Sequence, residues 1–576
     1  MSDLMHDFGV NKTEKLQRSR WQTKLKTKTA VAQGNLVPLG FYDVIPGSFI
    51  EDDVEQFTRL ALTPLKPFMG DVYLTYGAYF VPYRILFKKF PDMYGNGKPS
   101  EWSDPQEWVF PGYRLLTISS SFDCASMGAG YDCVETNSSK GTGNSSVNSS
   151  GYVISKVGNL ADYLGIPLTY SGTQVIDNGI YNVAPFLAYE RIWSDYWRDE
   201  NYQNPDPDLE KGFELSSGAI VGNTFRFALH KSNRFHDYLT SLLPNTQKGN
   251  KVSAFTNLVT GPSLVSLKDP TTGATSYNIQ FGNNSGTLVN SGVIASNGGN
   301  IGVSTSSTPT VSQTIQYTNL GVSIDVDELR SIFALKRASE RNARTGSRAM
   351  SEAMRGIFEA DPPIILNESE FLGGNTIRLN LSAVPQTGSE AGKLGAFSAT
   401  RTGQKSFRYT FNEPGILMYV GTIRCRHNYP QSLERIWSKR RRYDFYDPAF
   451  AHISEQPVYR REAVLLSDDP SDGVIGFQEP WLEYEKPVDK VTGYLRDYTQ
   501  SKDITAWCLN EDYGTGSYIV PSSYYPEPND TIAKNCIDYS NSRHSFQFII
   551  DFEANLTITA PKPVYSIPGF IDHLLA

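Results

Sequence analysis

Residues 546–558, FQFIIDFEANLTI, give the clearest strand signal in the chain. Phe546, Phe548, Ile550 and every second residue onward to Ile558 are apolar, and mostly polar residues stand between them. Successive side chains of a strand point to opposite faces of a sheet, so this alternation predicts a strand with one face on a core and the other largely in water. The chain should therefore contain a half-buried antiparallel sheet.

The composition also favours strands. The 576 residues include 33 Tyr, 30 Phe, 47 Gly and 33 Pro, which fits strands joined by many turns better than a helical bundle. Residues 72–81 predict a buried strand, and residues 405–425 predict a hairpin. A chain that opens with strands, carries long excursions and closes on a core strand is typical of an antiparallel jelly roll, so we predict an all-β fold.

Two helices are predicted inside the excursions. Phe186, Tyr189, Trp193 and Trp197 are spaced three or four apart, which indicates an amphipathic helix whose aromatic stripe packs on the core rather than binding a ligand. Residues 325–358 have a similar apolar spacing behind an acidic capping box, with many cations on the remaining faces. The predicted fold is thus a sandwich with partly helical insertions.

Residues 1–30 are predicted to form a basic N-terminal arm. Residues 11–28, NKTEKLQRSRWQTKLKTK, carry seven cations and one acid with little apolar periodicity. Such an arm either contacts nucleic acid, through cations on phosphates and a ring on a base, or is a solvated terminus, and both interpretations stay open. The candidate nucleic-acid-binding residues are Lys12, Lys15, Arg18, Arg20, Trp21, Lys24, Lys26 and Lys28. The formal net charge of −8 requires any such contact to be local.

Residues 431–463 hold the densest mixture of charge, aromatics and turn residues. Five cations within eight residues lead directly into a run of aromatics, which suits nucleic acid, but arginines also pair with carboxylates between packed protein surfaces. We favour the structural or subunit-interface interpretation, with His452 as a hydrogen-bonded packing residue. The candidate residues are Arg435, Lys439, Arg440, Arg441, Arg442, Tyr443, Asp444, Phe445, Tyr446, Asp447, His452 and Glu455.

Two stretches are predicted to lie outside the core. Residues 250–315 are almost uncharged and rich in Gly, Ser, Asn and Thr, so we expect short strands in an insertion that protrudes from the surface. Residues 480–540 predict a long, aromatic-rich connection between strands. The remaining chain, residues 31–576, is taken as one sandwich domain that carries these insertions.

No pattern for catalysis, cofactor binding or metal binding is found. The five cysteines are scattered without a CxxC pair, no two histidines stand at metal-ligand spacing, and HExxH and G-x-S-x-G motifs are absent. The N-terminus lacks a signal peptide's apolar run, and no stretch approaches the roughly 20 apolar residues of a membrane span. We therefore predict a protein that is not an enzyme, has no cofactor and assembles in a reducing cytoplasm.

Several motifs resemble one known family. RYDFYDPAFAHISEQPVY at residues 442–459 is similar to a signature of the major capsid proteins of the Microviridae, small single-stranded DNA phages, and of gokushoviruses in particular. TPLKPFMGDVYLTYGAYFVPYRILF at 63–87 and KSNRFHDYLTSLLPNTQKG at 231–249 resemble the same family in the same order. The helical stretch with Arg341, Arg344, Gly346 and Arg348 resembles it too, whereas loops at 120–155 and 250–315 carry no such motif.

The resemblance implies a viral eight-stranded antiparallel jelly roll whose copies form a small T=1 icosahedral virion shell around circular single-stranded DNA. It also implies assembly in the bacterial cytoplasm, a small basic DNA-packaging protein, a pilot protein and a host surface receptor as partners, and surface loops that contribute to attachment. Two other classes remain as alternatives: a phage receptor-binding β-protein, and a carbohydrate-active jelly-roll protein, which would need a cleft with paired carboxylates.

Overall fold

The structure is a computed structural model of the whole chain, which divides into two compact units. The first comprises Met1–Thr246 and Ala343–Ala576, and the second comprises Gln247–Asn342. The residues that the structure describes are 18–61, 69–94, 109–117, 153–154, 158–167, 175–222, 224–248, 263–268, 275–281, 293–297, 300–304, 326–344, 358–359, 368–385, 394–450, 454–464, 473–496, 507–511, 536 and 546–563.

Two four-stranded antiparallel sheets form the centre of the first unit. One sheet has the order β1 (Ser19–Val31), β19 (Phe548–Ala560), β3 (Ser48–Leu60), β15 (Thr400–Phe411). The other has the order β12 (Glu370–Arg378), β4 (Val72–Pro82), β16 (Gly415–Cys425), β2 (Val37–Val44). The predicted all-β class is confirmed.

The pairing of these strands follows a jelly-roll pattern. Taken in chain order, the first strand pairs with the eighth, the second with the seventh, the third with the sixth and the fourth with the fifth. Such a nested antiparallel ribbon, wrapped so that its strands alternate between two sheets, is a double Greek key. The sheet edges β1, β15, β12 and β2 therefore come from distant parts of the sequence.

The core lies between the two sheets, where alternate residues of each strand meet. In β19, Phe548, Ile550, Phe552, Ala554, Leu556, Ile558 and Ala560 are buried, which confirms the alternation read from the sequence. The Phe552 ring lies 5.9 Å from the Tyr76 ring and 5.4 Å from the Tyr419 ring, both on the opposite sheet. Edge and tilted ring contacts of this kind strengthen the packing beyond the burial of area.

The predicted aromatic helix is also confirmed. It consists of α3 (Ala184–Ile192) and one π-helical turn, Trp193–Trp197, and its four predicted aromatic residues are buried. Helix α3 contacts β4 and β16, and the Tyr189 hydroxyl donates to the Leu36 carbonyl at 2.7 Å. This helix is thus an internal part of the first unit and not an exposed ligand platform.

The remaining elements of the first unit are shorter. They are α1 (Tyr83–Leu86), β5 (Gly112–Thr117), β6 (Val153–Ile154), α2 (Leu160–Tyr163), β7 (Val175–Asn182), α4 (Pro207–Phe213), β13 (Leu381–Pro385), β14 (Leu394–Ser398), β17 (Gln456–Tyr459), α6 (Arg460–Ala463) and β18 (Val474–Gln478). Residues 480–540 lie between β18 and β19, and their described parts contain 3-10 turns and isolated bridges. Within the described residues, no helix is long and apolar enough to cross a membrane.

The second unit contains two hairpins and most of one long helix. The hairpins pair β8 (Ser263–Lys268) with β9 (Thr275–Phe281) and β10 (Val293–Asn297) with β11 (Asn300–Ser304). The helix is α5 (Val326–Arg344), within the predicted helical stretch. The short strands expected at 250–315 are therefore present, while the protrusion of this insertion stays a prediction.

One prediction is wrong: the part of the basic arm from Ser19 onward is not an arm. It is the 13-residue strand β1, which pairs with β19 along its whole length. Trp21, Leu25 and Val31 face the core while Lys24 and Lys26 alternate with them in water. The high charge hid this alternation, because Thr residues stand at most of the other inward positions and weaken the apolar signal.

Candidate subunit interface

Residues 431–463 wind through three short 3-10 turns, Arg435–Ser438, Arg442–Asp444 and Pro448–Phe450. Asp444 holds the second turn, since its carboxylate accepts from the backbone N–H groups of Arg441 at 2.7 Å and Arg440 at 2.9 Å. These two hydrogen bonds lower the pKa of Asp444 below its ordinary value. Asp447 similarly accepts from the Ala449 N–H at 3.0 Å. Both aspartates therefore shape the backbone.

Ion pairs fix the base of this segment. The Arg435 guanidinium donates to the Pro457 carbonyl at 2.9 Å and lies 3.5 Å from the Glu462 carboxylate. The Lys439 ammonium lies 2.8 Å from the Glu483 carboxylate and donates to the Tyr484 hydroxyl at 3.1 Å. Arg435 and Lys439 therefore pair with groups of the same chain, and their role in a subunit interface stays a prediction.

Two rings lie beside the Lys439 ammonium, and a third ring packs on one of them. The ammonium lies 4.2 Å from the Tyr484 ring centroid and 5.6 Å from the Trp481 ring centroid, both within cation–π range. The Tyr446 ring meets Trp481 edge-on at 5.5 Å. Burial acts to lower the pKa of Lys439, but its hydrogen bonds to Glu483 and Tyr484 outweigh burial and raise it. The lysine therefore stays charged and joins 439–446 to 481–484.

Large apolar side chains remain exposed on this rigid frame. We call them the aromatic surface, defined as Ile436, Trp437, Tyr443, Phe445, Tyr446 and Tyr484. Their exposed fractions range from 50% to 71%. Exposed rings with arginines beside them in the chain have the composition of a protein–protein contact, in which Tyr, Trp, Phe and Arg are enriched.

The arginines beside the aromatic surface are available for a partner. Arg440 and Arg441 are exposed and have no ion pair with another described residue, and Arg442 lies 3.4 Å from Asp447 at a largely exposed site. Glu455 is buried, and its carboxylate lies 2.5 Å from the Arg344 guanidinium. His452 lies outside the described residues.

The candidate nucleic-acid residues have a different environment. Lys12 and Lys15 lie outside the described residues. Arg18 is exposed, and Arg20, Lys24, Lys26 and Lys28 point outward from β1 with carboxylates of β3 or β19 within 4 Å. Trp21 points inward and packs against the core. Its indole is therefore not free to stack on a base, and a role in binding DNA stays a prediction for the exposed cations.

Sequence reasoning missed the contribution of residues 481–484. These residues were predicted only as part of the connection at 480–540, although Trp481, Glu483 and Tyr484 complete the frame around Lys439. A Trp-Leu-Glu-Tyr cluster with acid and rings together was the available signal. The contacts with Lys439 join residues 42 or more positions apart in the chain, so spacing alone did not indicate them.

A jelly-roll sandwich with long excursions and an exposed aromatic surface has the features of a structural protein that makes protein–protein contacts. The family model "Capsid protein (F protein)" matches residues 10–132 and 150–570. The chain therefore belongs to this capsid protein family, which confirms the resemblance to the major capsid proteins of the Microviridae. The match includes residues 250–315, where no motif was recognised.

Similar proteins include three named capsid protein VP1. The one from Spiroplasma virus 4 is 27% identical and covers 98% of this chain and 97% of its own length. That from Chlamydia phage 1 is 26% identical, covering 99% and 98%, and that from Bdellovibrio phage phiMH2K is 26% identical, covering 98% and 97%. The chain is thus a non-enzymatic structural component of a phage virion that assembles into an oligomeric shell.

Proposed function

We propose that copies of this chain form a small T=1 icosahedral shell that encloses a circular single-stranded DNA genome, and that the aromatic surface is one contact between neighbouring copies. The supporting observation is a set of six large apolar side chains that stay exposed while the backbone beneath them is fixed by ion pairs. Burial of such rings supplies roughly 1.5–3 kcal/mol per side chain. A preorganised frame reduces the entropy lost on association.

The other proposed partners follow from the family. The shell would assemble in the bacterial cytoplasm with a small basic DNA-packaging protein and a pilot protein, and residues 250–315 would contribute to attachment at a host receptor. The exposed cations of β1 and of residues 440–442 are the candidate contacts to acidic partners, since both groups reach solvent. The protein supplies binding surfaces and a wall, without a catalytic step.

The test compares two isoleucines of similar exposure. Ile436 is 64% exposed on the aromatic surface, and Ile180 is 60% exposed on the end of β7. We expect Ile436→Ser, combined with Trp437→Ser, to abolish closed particles in electron microscopy and leave slowly sedimenting subunits, because the central apolar contact is lost. Ile180→Ser is the matched control and should leave particle yield unchanged.

Circular dichroism and the thermal midpoint should be the same for all these variants, since the substituted side chains are exposed. Normal particle yield from the Ile436→Ser, Trp437→Ser variant would show that the aromatic surface is not a subunit contact. If Ile180→Ser lowered particle yield equally, the loss would not be specific to the aromatic surface.

A further inference from the structure

Three side chains with metal-binding atoms meet in the first unit, away from the aromatic surface. They are Glu190, Asp206 and His230, and one ligand atom of each lies within 4.8 Å of the others. The His230 Nε2 contacts Glu190 Oε2 and lies 3.2 Å from Asp206 Oδ2. No sequence motif indicated this group, because its members are 16 and 24 positions apart and one is inside the aromatic helix.

Each of the three side chains is held by its own element. Glu190 lies in the last turn of α3, and Asp206 is the N-cap of α4, where its Oδ1 accepts from the Asp208 N–H at 2.7 Å. The His230 backbone is held on both sides, since its N–H donates to the Tyr189 hydroxyl at 3.0 Å and its carbonyl accepts from the Leu36 N–H at 2.9 Å. The site is thus built into the fold.

The imidazole ring is fixed as well. It stacks on the Trp193 indole with 3.9 Å between ring centroids and 12° between planes, and a second ring, Tyr189, lies parallel at 6.0 Å. Stacking between two rings leaves the nitrogen edge directed at the carboxylates. Orientation of a ligating histidine by its surroundings is the usual support of a metal site in proteins.

One hydrogen-bonding position of this group is unfilled in the described part of the chain. Glu190 is fully buried, and its Oε1 has no hydrogen-bond partner among the residues that the structure describes. Two carboxylates share a single imidazole nitrogen, which carries at most one proton. A buried carboxylate oxygen without a partner is costly, so an unfilled position beside Glu190 indicates a missing ligand.

We infer that Glu190, Asp206 and His230 bind a divalent transition-metal ion, with zinc as the best match. Zinc takes imidazole nitrogen and carboxylate oxygen at about 2.0–2.2 Å in tetrahedral geometry, which places neighbouring ligand atoms about 3.3 Å apart. The 3.2 Å between His230 Nε2 and Asp206 Oδ2 matches that spacing. Glu190 Oε1 is available as an added oxygen, and a water would complete the shell.

The ion would be structural. It would join the end of α3, the start of α4 and the extended segment at His230, which hydrogen-bonds to the start of β2 through Leu36. Asp206 also lines a cavity of about 580 Å³ with Pro205, Pro207 and Arg198, which provides an approach from the surface. Because the unfolded chain does not hold the three ligands together, the free energy of metal binding would add to the free energy of unfolding.

The test uses the full-length protein after dialysis against a chelator and then against micromolar zinc chloride. Metal retained after gel filtration is measured by plasma mass spectrometry, with manganese and calcium chloride as separate arms. We expect about one zinc per chain, displacement of manganese by zinc as the order of divalent affinities requires, and a higher thermal midpoint with zinc than without.

Two variants test the ligands, and each replaces one carboxylate with an amide of nearly the same shape. Glu190→Gln and Asp206→Asn should each lower zinc affinity by about 100-fold or more, since loss of a ligand exceeds the 10–100-fold effect of losing its supporting contacts. Asn at 206 can still accept from the Asp208 N–H, so α4 keeps its cap. Glu511→Gln is the control: it removes a buried carboxylate 3.4 Å from His427 and should leave zinc retention unchanged.

The inference fails if the unaltered protein retains no more zinc than the Glu190→Gln and Asp206→Asn variants. It also fails if calcium is retained and zinc is not, because two carboxylates with one imidazole were assigned to a transition metal. The thermal readout separates binding from misfolding, since zinc should raise the midpoint of Glu511→Gln and leave that of Asp206→Asn unchanged.

Discussion

The Lys24 ammonium lies 2.8 Å from the Glu553 carboxylate, an ion pair between residues 529 positions apart. Lys26 reaches the other oxygen of the same carboxylate at 3.2 Å. One glutamate thus connects two lysines of β1 to β19, and these hydrogen bonds lower the pKa of Glu553. Cations that a charge count assigns to DNA are already engaged within the sheet.

Replacement of Lys24 and Lys26 by Gln tests whether these lysines also contact the genome. We expect the ratio of DNA to protein in purified particles, or its resistance to salt, to decrease because phosphate contacts release counterions. The thermal midpoint should change little, since exposed ion pairs contribute little to stability. Arg401→Gln, which removes an exposed pair with Glu55 in the same sheet, is the control. Unchanged DNA content would exclude the genome contact.

Lys439→Met tests the frame beneath the aromatic surface. The change leaves the largely buried Glu483 carboxylate without its ammonium partner, so we expect the free energy of unfolding to fall by about 1–3 kcal/mol in chemical denaturation. Lys490→Met removes a more exposed pair with Glu434 and should cost less than about 1 kcal/mol. Equal effects of the two substitutions would contradict a structural role for Lys439.

The same pair predicts a dependence on pH. Burial acts to raise the pKa of Glu483, but hydrogen bonds from Lys439 and Gln456 outweigh it and hold the pKa below its ordinary value. The resulting stabilisation is present above the pKa of the unfolded glutamate and is lost as pH falls through the lower folded value. Thermal midpoints between pH 6 and pH 3 should therefore fall less steeply for Lys439→Met than for the unaltered protein.

The effect of Asp52 on stability should change with pH in the opposite direction. Asp52 points into the sandwich, and burial raises its pKa to about 7, against the smaller opposing effect of the Tyr419 hydroxyl. The folded protein keeps this proton where the unfolded chain has lost it, so stability should decline from about pH 4 to about pH 7, by a few kcal/mol. Asp52→Asn should remove the decline and raise the thermal midpoint at pH 8, whereas Asp53→Asn at the exposed neighbour should not. A lower midpoint for Asp52→Asn at pH 8 would refute the assignment.

Deletion of residues 255–310 separates the proposed roles of the two units. We expect the shortened chain to fold and form particles in electron microscopy, because the jelly-roll strands all lie outside this range. Adsorption of those particles to host cells should decrease. Loss of folding on deletion would show that the range belongs to the core, and unchanged adsorption would contradict a role in attachment.

Sequence patterns predicted the strands whose burial alternates or is continuous. β19 and β4 begin and end within two residues of their predicted limits. The two strands predicted at 405–425 are present as β15 and β16, but the predicted hairpin is wrong, because β15 pairs with β3 and β16 pairs with β4 and β2 in the other sheet. The aromatic helix was equally clear, because its large side chains repeat at helical spacing. In each of these elements, one short stretch of sequence is enough to predict which side chains are buried.

The parts that were missed depend on partners distant in the chain. β1 was hidden because its outward lysines are stabilised by Glu553 and Asp551, more than 500 positions away. The frame around Lys439 needs Glu483 and Trp481, and the proposed metal site needs three separate elements. No local window contains such information, since it exists only once the sheets have formed.

The position of β19 also bears on synthesis. β19, the last strand in the part of the chain that the structure describes, lies between β1 and β3, so both of those strands complete their hydrogen bonds only after it has been made. At roughly 5–20 residues per second, β1 spends about half a minute or more without its partner after it is made. The nascent chain therefore has an open position between β1 and β3 until β19 has been made, so this sheet stays incomplete during most of translation.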